Sequence, residues 1–150
     1  MSCEVKCSNV EGLLQFSVTR VAQALQEHAD LVERLREQLN LYMALREGDR
    51  EEALGQLSEY LVSLRNVRDG IEKAVGEYSM IASCCLARSQ DFEALLGYYI
   101  MAGSRRERET LEQASRFVDV RGDFERLERL VRALQDALIT VSSSAGNFRD

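Results

Sequence analysis

The sequence contains no proline and no tryptophan, and His28 is the only histidine among its 150 residues. Proline interrupts helices because it lacks an amide proton and its ring clashes with the preceding turn. Its absence, together with frequent Leu, Glu, Arg and Ala, favours long uninterrupted helices. The length suits one domain with a sizeable hydrophobic core.

Long apolar runs and an excess of basic residues are also absent. No apolar segment approaches the roughly 18 residues that a membrane helix needs, and none near the N-terminus has the character of a signal peptide. Lys and Arg number 19 against 25 Asp and Glu, which gives a net charge of -6. Such a charge disfavours binding to nucleic acids and anionic membranes. We therefore expect a cytoplasmic protein with no transmembrane segment and no nucleic-acid partner.

Motifs for catalysis and nucleotide binding are missing as well. One histidine without a partner does not make a general base, and no second His or Cys cluster completes a zinc site. The carboxylates of Glu107, Glu109 and Glu112 lie among arginines, on what the pattern predicts to be a solvated helix face. The sequence therefore predicts no enzyme, no catalytic residue, no cofactor and no metal.

Four cysteines form a loose C-x-x-x-C pair, Cys3 and Cys7, and an adjacent pair, Cys84 and Cys85. Neighbouring residues on a helix point about 100° apart, so Cys84 and Cys85 are poorly placed to hold one metal ion. We expect reduced thiols without metal, as is usual in the cytosol. Acylation at Cys3 or Cys7 is a secondary prediction.

Apolar residues recur in alternating steps of four and three, which is a heptad pattern. The pattern predicts two long helices, over 10–46 and 50–87. Gly48 is placed to end the first, and Asp49 with Glu52 is close to a capping box that opens the second. The first seam comprises Leu14, Val18, Val21, Leu25, His28, Val32, Leu35, Leu39 and Tyr42, and the second comprises Leu54, Leu57, Leu61, Leu64, Arg68, Ile71, Val75, Tyr78, Ala82 and Cys85.

A short connection makes the two helices antiparallel neighbours about 55 Å long, from about 37 residues at 1.5 Å each. Pairing Tyr42 with Leu54 puts His28 opposite Arg68, and these are the polar members of the two seams. We interpret them as a layer that fixes the register, with Glu72 one turn away helping to neutralise Arg68. A second apolar column on the second helix requires at least one more helix partner: Ala53, Tyr60, Val67, Ala74 and Ile81.

Two further helices follow, over 91–102 and 105–142. Ser89 is the expected N-cap of the first, Gly103 and Ser104 break it, and Ser104 with Glu107 has the form of a capping box for the next.

Gly122 weakens the last helix, since glycine inside a helix costs about 1 kcal/mol relative to alanine. Either one helix kinks there, or it ends and Asp123 caps a new one; the break is favoured. The domain organisation is then a flexible N-terminus (1–9), a single helical-bundle domain (10–142) and a disordered tail (143–150). The fold class is all-α, an elongated antiparallel bundle built on a coiled-coil hairpin.

The least charged stretch, residues 92–102, carries large apolar side chains all around its predicted helix. A helix of this kind must be covered on most faces, more than one bundle provides. We expect another chain, identical or different, to cover part of it. The predicted partner-binding residues are Leu95, Leu96, Tyr98, Tyr99, Ile100 and Met101.

These features favour a non-enzymatic protein–protein interaction module: an adaptor, a scaffold or an oligomerising subunit of a larger assembly. The alternative is a helical chaperone or regulator that binds an amphipathic client segment in an apolar groove near residues 92–102.

Overall fold

The protein is all-α, as the composition and periodicity predict. A computed structural model describes Cys3 and residues 6–148, with side chains as far as Ile139. This part of the chain contains no β-strand and five α-helices. They are α1 (Val10–Ala44), α2 (Arg50–Cys85), α3 (Gln90–Tyr98), α4 (Ser104–Ala114) and α5 (Arg121–Phe148).

The antiparallel hairpin of α1 and α2 forms the main body of the bundle. Every member of the two predicted seams is buried or partly buried, because the heptad pattern keeps one stripe of each helix facing the other. An ion pair between Arg20 and Glu77, 2.8 Å long, crosses the hairpin and agrees with the register that pairs Tyr42 with Leu54. The tight connection runs through a 3-10 turn, Glu47–Asp49.

The second half of the chain covers the hairpin. Helix α5 packs mainly against α2, while α3 and α4 pack against α1 and also contact α5. Helix α2 therefore has the second partner that its additional apolar column predicts, with Ala53, Val67 and Ala74 buried.

The predicted break at Gly103 and Ser104 is wrong. A π-helical turn, Tyr99–Gly103, joins α3 to α4, so the helix continues from residue 90 to 114. Ser104 does not cap α4; its hydroxyl donates to the carbonyl of Ile100 (2.7 Å), within the helix. Ser89 does cap α3, accepting from the amide of Phe92 (3.3 Å).

The break favoured near Gly122 exists, but it lies earlier. Helix α4 ends at Ala114 and α5 begins at Arg121, so Gly122 and Asp123 belong to the first turn of α5. Asp123 therefore does not stand before the helix as a cap. At the other end α5 runs to Phe148, across residues for which the sequence predicts a disordered tail; the last two residues lie outside the described chain.

The expectation of reduced thiols is wrong in this structure. Two disulfides join Cys3 to Cys84 and Cys7 to Cys85, with Cα–Cα distances of 5.6 and 5.5 Å. The physical reason is the hairpin itself, which returns the end of α2 to the residues that precede α1. The segment expected to be flexible, 1–9, thus holds two cross-links and a 3-10 turn, Cys7–Asn9; four of its residues (1, 2, 4 and 5) are not described.

Candidate functional site

A cluster of charged side chains is buried where four of the five described helices meet. The Nε2 atom of His28 on α1 lies 3.0 Å from Oε1 of Glu107 on α4. From α2, Arg68 donates through Nε to the same oxygen (3.3 Å). His28, Arg68 and Glu107 are each at most 3% exposed. The two polar seam residues of the hairpin thus contact one carboxylate that comes from a third helix.

A second carboxylate, that of Asp123 on α5, completes the cluster. Arg68 donates to it through Nη2 (2.7 Å). Arg65, one turn earlier on α2, adds a bidentate pair of hydrogen bonds of 2.9 and 3.0 Å. Two guanidinium groups therefore face two carboxylates, so the cluster is close to electrically balanced despite its burial. The bidentate geometry is the strongest form of such a pair.

The ionisation of Asp123 follows from this arrangement. Burial by itself raises the pKa of the Asp123 carboxyl, but the hydrogen bonds and charges of Arg65 and Arg68 outweigh it, so the pKa lies below its usual range. The bond with Asp123 in turn raises the pKa of Arg65, even though desolvation opposes this. The ionised form of Asp123 is thus the form that the fold stabilises.

The π-turn is what brings Glu107 into the cluster. Before the π-turn, the residues that face the core recur every three or four positions, as in a regular α-helix. After it, the core-facing positions are shifted by one residue, because a π-turn contains one residue more than an α-turn. A regular helix would continue the buried stripe through Gly103 and Arg106, whereas here Arg106 is exposed and Glu107 is buried. The observed inward stripe is Phe92, Leu96, Tyr99, Ser104, Glu107, Leu111 and Ala114.

Tyr99, inside the π-turn, packs edge-on against the His28 ring with the ring centroids 5.1 Å apart. Burial is the main reason that the pKa of its hydroxyl is strongly raised; the charge of Glu107 adds to this and that of Arg68 opposes it. The hydroxyl has no hydrogen-bond partner among the described residues. A Cβ at Gly103 would lie 2.9 Å from the Tyr99 ring, so glycine is the residue that leaves room for this ring.

Two further atoms of the cluster are incompletely satisfied. Nη1 of Arg68 is buried without a hydrogen bond. Oε2 of Glu107 lies 3.2 Å from Nε of Arg68, which is ion-pair distance, yet the angles do not meet hydrogen-bond geometry. We regard that contact as Coulombic, with the directional bond going to Oε1.

The cluster is suited to positioning the helices, since most of its charged atoms are paired with one another and His28, Arg68 and Glu107 are almost fully buried. Partners from four separate helices must be present together for the charges to balance, which specifies the arrangement of the bundle. The carboxylates that pair with Arg68 in the described chain are Glu107 and Asp123, not Glu72 as the sequence suggests. The expected solvent exposure of Glu107 is wrong for the same reason, while Glu109 and Glu112 are exposed.

The six predicted partner-binding residues divide between the core and the surface. Leu96 and Tyr99 are buried, and Leu95 and Ile100 are partly buried against the core. Tyr98 and Met101 point outward and are 71% and 76% exposed, more than any other large apolar side chain in the described residues. Both faces of this helix are thus apolar, but only one of them is covered.

A groove runs between α1 and α3 beside Tyr98. It has a volume of about 210 Å³ and reaches down to His28 and Val32, with Leu95 and Tyr98 on the α3 side. A shallower depression continues it along α1 towards Thr19 and Val18. This groove lies at the place where the sequence predicts an apolar groove near residues 92–102.

Comparison with known proteins gives no relative. The chain matches no protein-family model, no curated protein and no solved structure. None of the described helices combines the length and the apolar character that crossing a membrane requires. Within the same residues, no group of three or more His, Cys, Asp or Glu side chains is arranged to hold a metal ion.

Sequence reasoning missed three members of the cluster: Arg65, Glu107 and Asp123. A signal for Glu107 was present, because Ser104, Glu107, Leu111 and Ala114 share one helical stripe with spacings of three, four and three. Asp123 lies four residues before the buried Leu127 of α5 and three after the buried Val120, which immediately precedes that helix. Arg65 had no such signal, since its position lies beside the seam.

Proposed function

We propose that the protein is a non-enzymatic interaction module, an adaptor or scaffold subunit that binds another protein chain. Its docking surface is the outward side of α3, the π-turn and the first turn of α4, which we call the α3 face: Asp91, Ala94, Tyr98, Met101 and Arg106. The observation that carries this proposal is the outward exposure of Tyr98 and Met101 on a helix whose opposite side is already packed in the core. Aromatic residues and methionine are enriched where protein interfaces are most buried.

The buried cluster supports the proposal because it fixes the orientation of the helices that carry the docking surface. A docking helix held only by apolar contacts is free to slide or rotate, whereas the pairing of Glu107 with His28 and Arg68 fixes α4, and with it α3. The side of the helix that faces outward is therefore set by the core. An interface built on a fixed surface loses less conformational entropy on binding.

The groove between α1 and α3 favours a second candidate, a chaperone or regulator that holds an amphipathic client helix. Such grooves bind helices through apolar residues spaced at three, four and seven positions. Leu95, Tyr98 and Val32 supply apolar walls, and Gln26 and Glu33 supply a polar rim. Both candidates place the partner at Tyr98, and they differ in whether that partner is a stable subunit or a transient client.

The negative net charge supports a protein partner rather than nucleic acid. The composition suggested the cytoplasm, while disulfides persist mainly in oxidising compartments. We propose that the two cystines form only where the chain meets such a compartment. In the cytoplasm the four cysteines would be thiols, and Cys3 or Cys7 would then be available for acylation.

Photo-crosslinking tests the module directly. Tyr98 is replaced by the photoreactive residue p-benzoylphenylalanine, and the matched control carries it at Ile139, which is also apolar and 65% exposed but lies on α5. We expect irradiation in cells that express the chain to give discrete crosslinked species from position 98 and none from position 139. An equal yield from the two positions, or no adduct from position 98, would refute the proposed docking surface.

A further inference from the structure

Three residues of the α3 face form a line along the edge that borders α1. Asp91 and Leu95 flank the shallow part of the groove, and Tyr98 and Arg106 flank the deep part. Asp91, Tyr98 and Arg106 are all exposed. The edge therefore presents an anion, an aromatic ring and a cation in that order along the helix.

The three side chains are evenly spaced. Seven residues separate Asp91 from Tyr98, which is about two helical turns or roughly 10.5 Å. Eight residues separate Tyr98 from Arg106, and the additional one is taken up by the π-turn between them, Tyr99–Gly103. Opposite charges thus stand at nearly equal distances on the two sides of Tyr98.

An arrangement of this kind is complementary to itself. When two identical helices pack antiparallel about a two-fold axis through Tyr98, the anion of each copy meets the cation of the other. A parallel arrangement would place like charges side by side, which is unfavourable. Two-fold interfaces of identical chains have this property, because one surface patch serves as both partners.

We infer that the partner of the α3 face is a second copy of this chain, bound antiparallel. Tyr98 of each copy lies against Tyr98 of the other, and Asp91 of each copy pairs with Arg106 of the other. This inference rests on the proposed function, which it deepens by naming the partner.

The single chain leaves these charges and the surface between them open to a second copy. Neither Asp91 nor Arg106 forms an ion pair within the described residues, so both are available for pairing between chains. Ala94, exposed between Asp91 and Tyr98, is small enough to let two helices approach closely. Gly97 has open space around it, so no neighbouring element of the same chain blocks that approach.

Charge reversal tests the dimer, because combining two variants that each associate weakly should restore association. Asp91→Arg and Arg106→Asp are made in separate chains, one with a fluorescent label on a terminal tag, and association is followed by sedimentation velocity over a concentration series. Each variant alone turns two attractive contacts per dimer into repulsive ones, so self-association should weaken about tenfold or more. An equimolar mixture should form a heterodimer about as tight as the wild-type dimer, since one contact is restored with reversed sign and the other keeps its wild-type pair of Asp91 and Arg106.

The matched control is Arg105→Asp mixed with Asp91→Arg, because Arg105 is exposed but borders α5 rather than α1. The Asp91→Arg chain should not recover the wild-type affinity in this mixture, because one of its two contacts still places two cations against each other. Arg105→Asp by itself should associate as the wild type does. Tyr98→Glu should weaken the wild-type dimer by thirtyfold or more, as loss of a central anchor does. Circular dichroism of each variant confirms that the fold is intact.

The outcomes separate this inference from the proposed function. A wild-type chain that is monomeric at every concentration, or a mixture of the reversed variants that does not associate, overturns the antiparallel dimer. If position 98 then still crosslinks to a different protein, the interaction module stands with another partner. If it crosslinks to nothing, both fall.

Discussion

At the scale of single residues, the decisive feature is that polar side chains in the core are satisfied from far away in the sequence. His28 and Arg68 are the polar members of the two seams, and their neutralising partners are Glu107 and Asp123 on other helices. In an isolated two-helix seam, leucine at both positions would be tolerated, since apolar pairs often replace buried ions at no cost. Here it would leave the buried carboxylate of Glu107 without either partner and Asp123 with Arg65 alone, which costs several kcal/mol.

Asp123 should give the protein a measurable sensitivity to acid. Its pKa is lowered in the folded state, so its contribution to stability is present above the unfolded pKa, about 4, and is lost as the pH falls through the lower folded value. We expect Asp123→Asn to reduce the free energy of unfolding by about 3 kcal/mol at pH 7, as breaking a buried pair does. The difference from wild type should shrink below pH 4.

Urea unfolding at pH 7 and pH 3 measures both quantities. Asp136→Asn, on the same helix but exposed, serves as the control and should change little at either pH. A loss from Asp123→Asn that is equally large at pH 3 would mean that the ionised carboxylate is not what stabilises the fold.

At the scale of elements, the π-turn shifts by one residue the positions of α4 that face the core, relative to those of α3. The stripe that begins with Phe92 and Leu96 would lead to Arg106, and the additional residue leads it to Glu107 instead. A cation at that position would face Arg68, so the turn decides whether the cluster attracts or repels. Such turns are rare because they interrupt regular hydrogen bonding, and they persist where the surrounding structure compensates.

Gly103 should be needed for this turn. In Gly103→Ala the new methyl group lies 2.9 Å from the Tyr99 ring, which is held against His28. We expect a loss of about 1–3 kcal/mol in the free energy of unfolding, as overpacking typically costs. Gly70→Ala in α2 is the matched control, since nothing lies within 4 Å of its added Cβ. It should gain up to about 1 kcal/mol from helix propensity.

Equilibrium urea unfolding of the two variants gives the comparison. Equal gains from both substitutions would show that the Tyr99 ring moves aside freely and that the π-turn is not held by this contact.

At the scale of the whole molecule, the chain is closed by two cross-links at one end of the hairpin and organised by the charged cluster near its middle. The disulfides Cys3–Cys84 and Cys7–Cys85 bridge 81 and 78 residues. A loop of that size loses much unfolded-state entropy, equivalent to about 4 kcal/mol for one bridge. The second bridge adds less because its loop is nearly the same.

Reduction should therefore lower the free energy of unfolding by about 4 kcal/mol while leaving most of the helix content in place. Thermal and urea unfolding, followed by far-UV circular dichroism with and without reductant, measure this. A variant with all four cysteines changed to serine should have the same free energy of unfolding as the reduced protein, and reductant should not change it.

Alkylation of the protein as isolated provides the complementary count. In protein recovered from an oxidising compartment, no thiol should react before reduction and four should react after it. Four reactive thiols in the untreated protein, with no effect of reductant on stability, would rule out the bridges under those conditions.

The sequence by itself determined the two long helices and their pairing. Heptad spacing gave α1 and α2 to within two residues at each end, because burying one stripe of a long helix is a local requirement that every turn repeats. The same antiparallel register also indicates the disulfides, because it places Cys84 and Cys85 beside the N-terminal segment that contains Cys3 and Cys7.

Only the tertiary structure decided where the charges of the second half lie. A capping-box pattern and a solvated surface were both consistent with Ser104 and Glu107, and local rules do not distinguish a helix break from a π-turn. The choice follows from Arg68 and His28 on the distant hairpin, whose buried charge and hydrogen-bonding groups require a carboxylate. Pairing across 39 and 79 residues is a property of the assembled bundle, because no segment contains both partners.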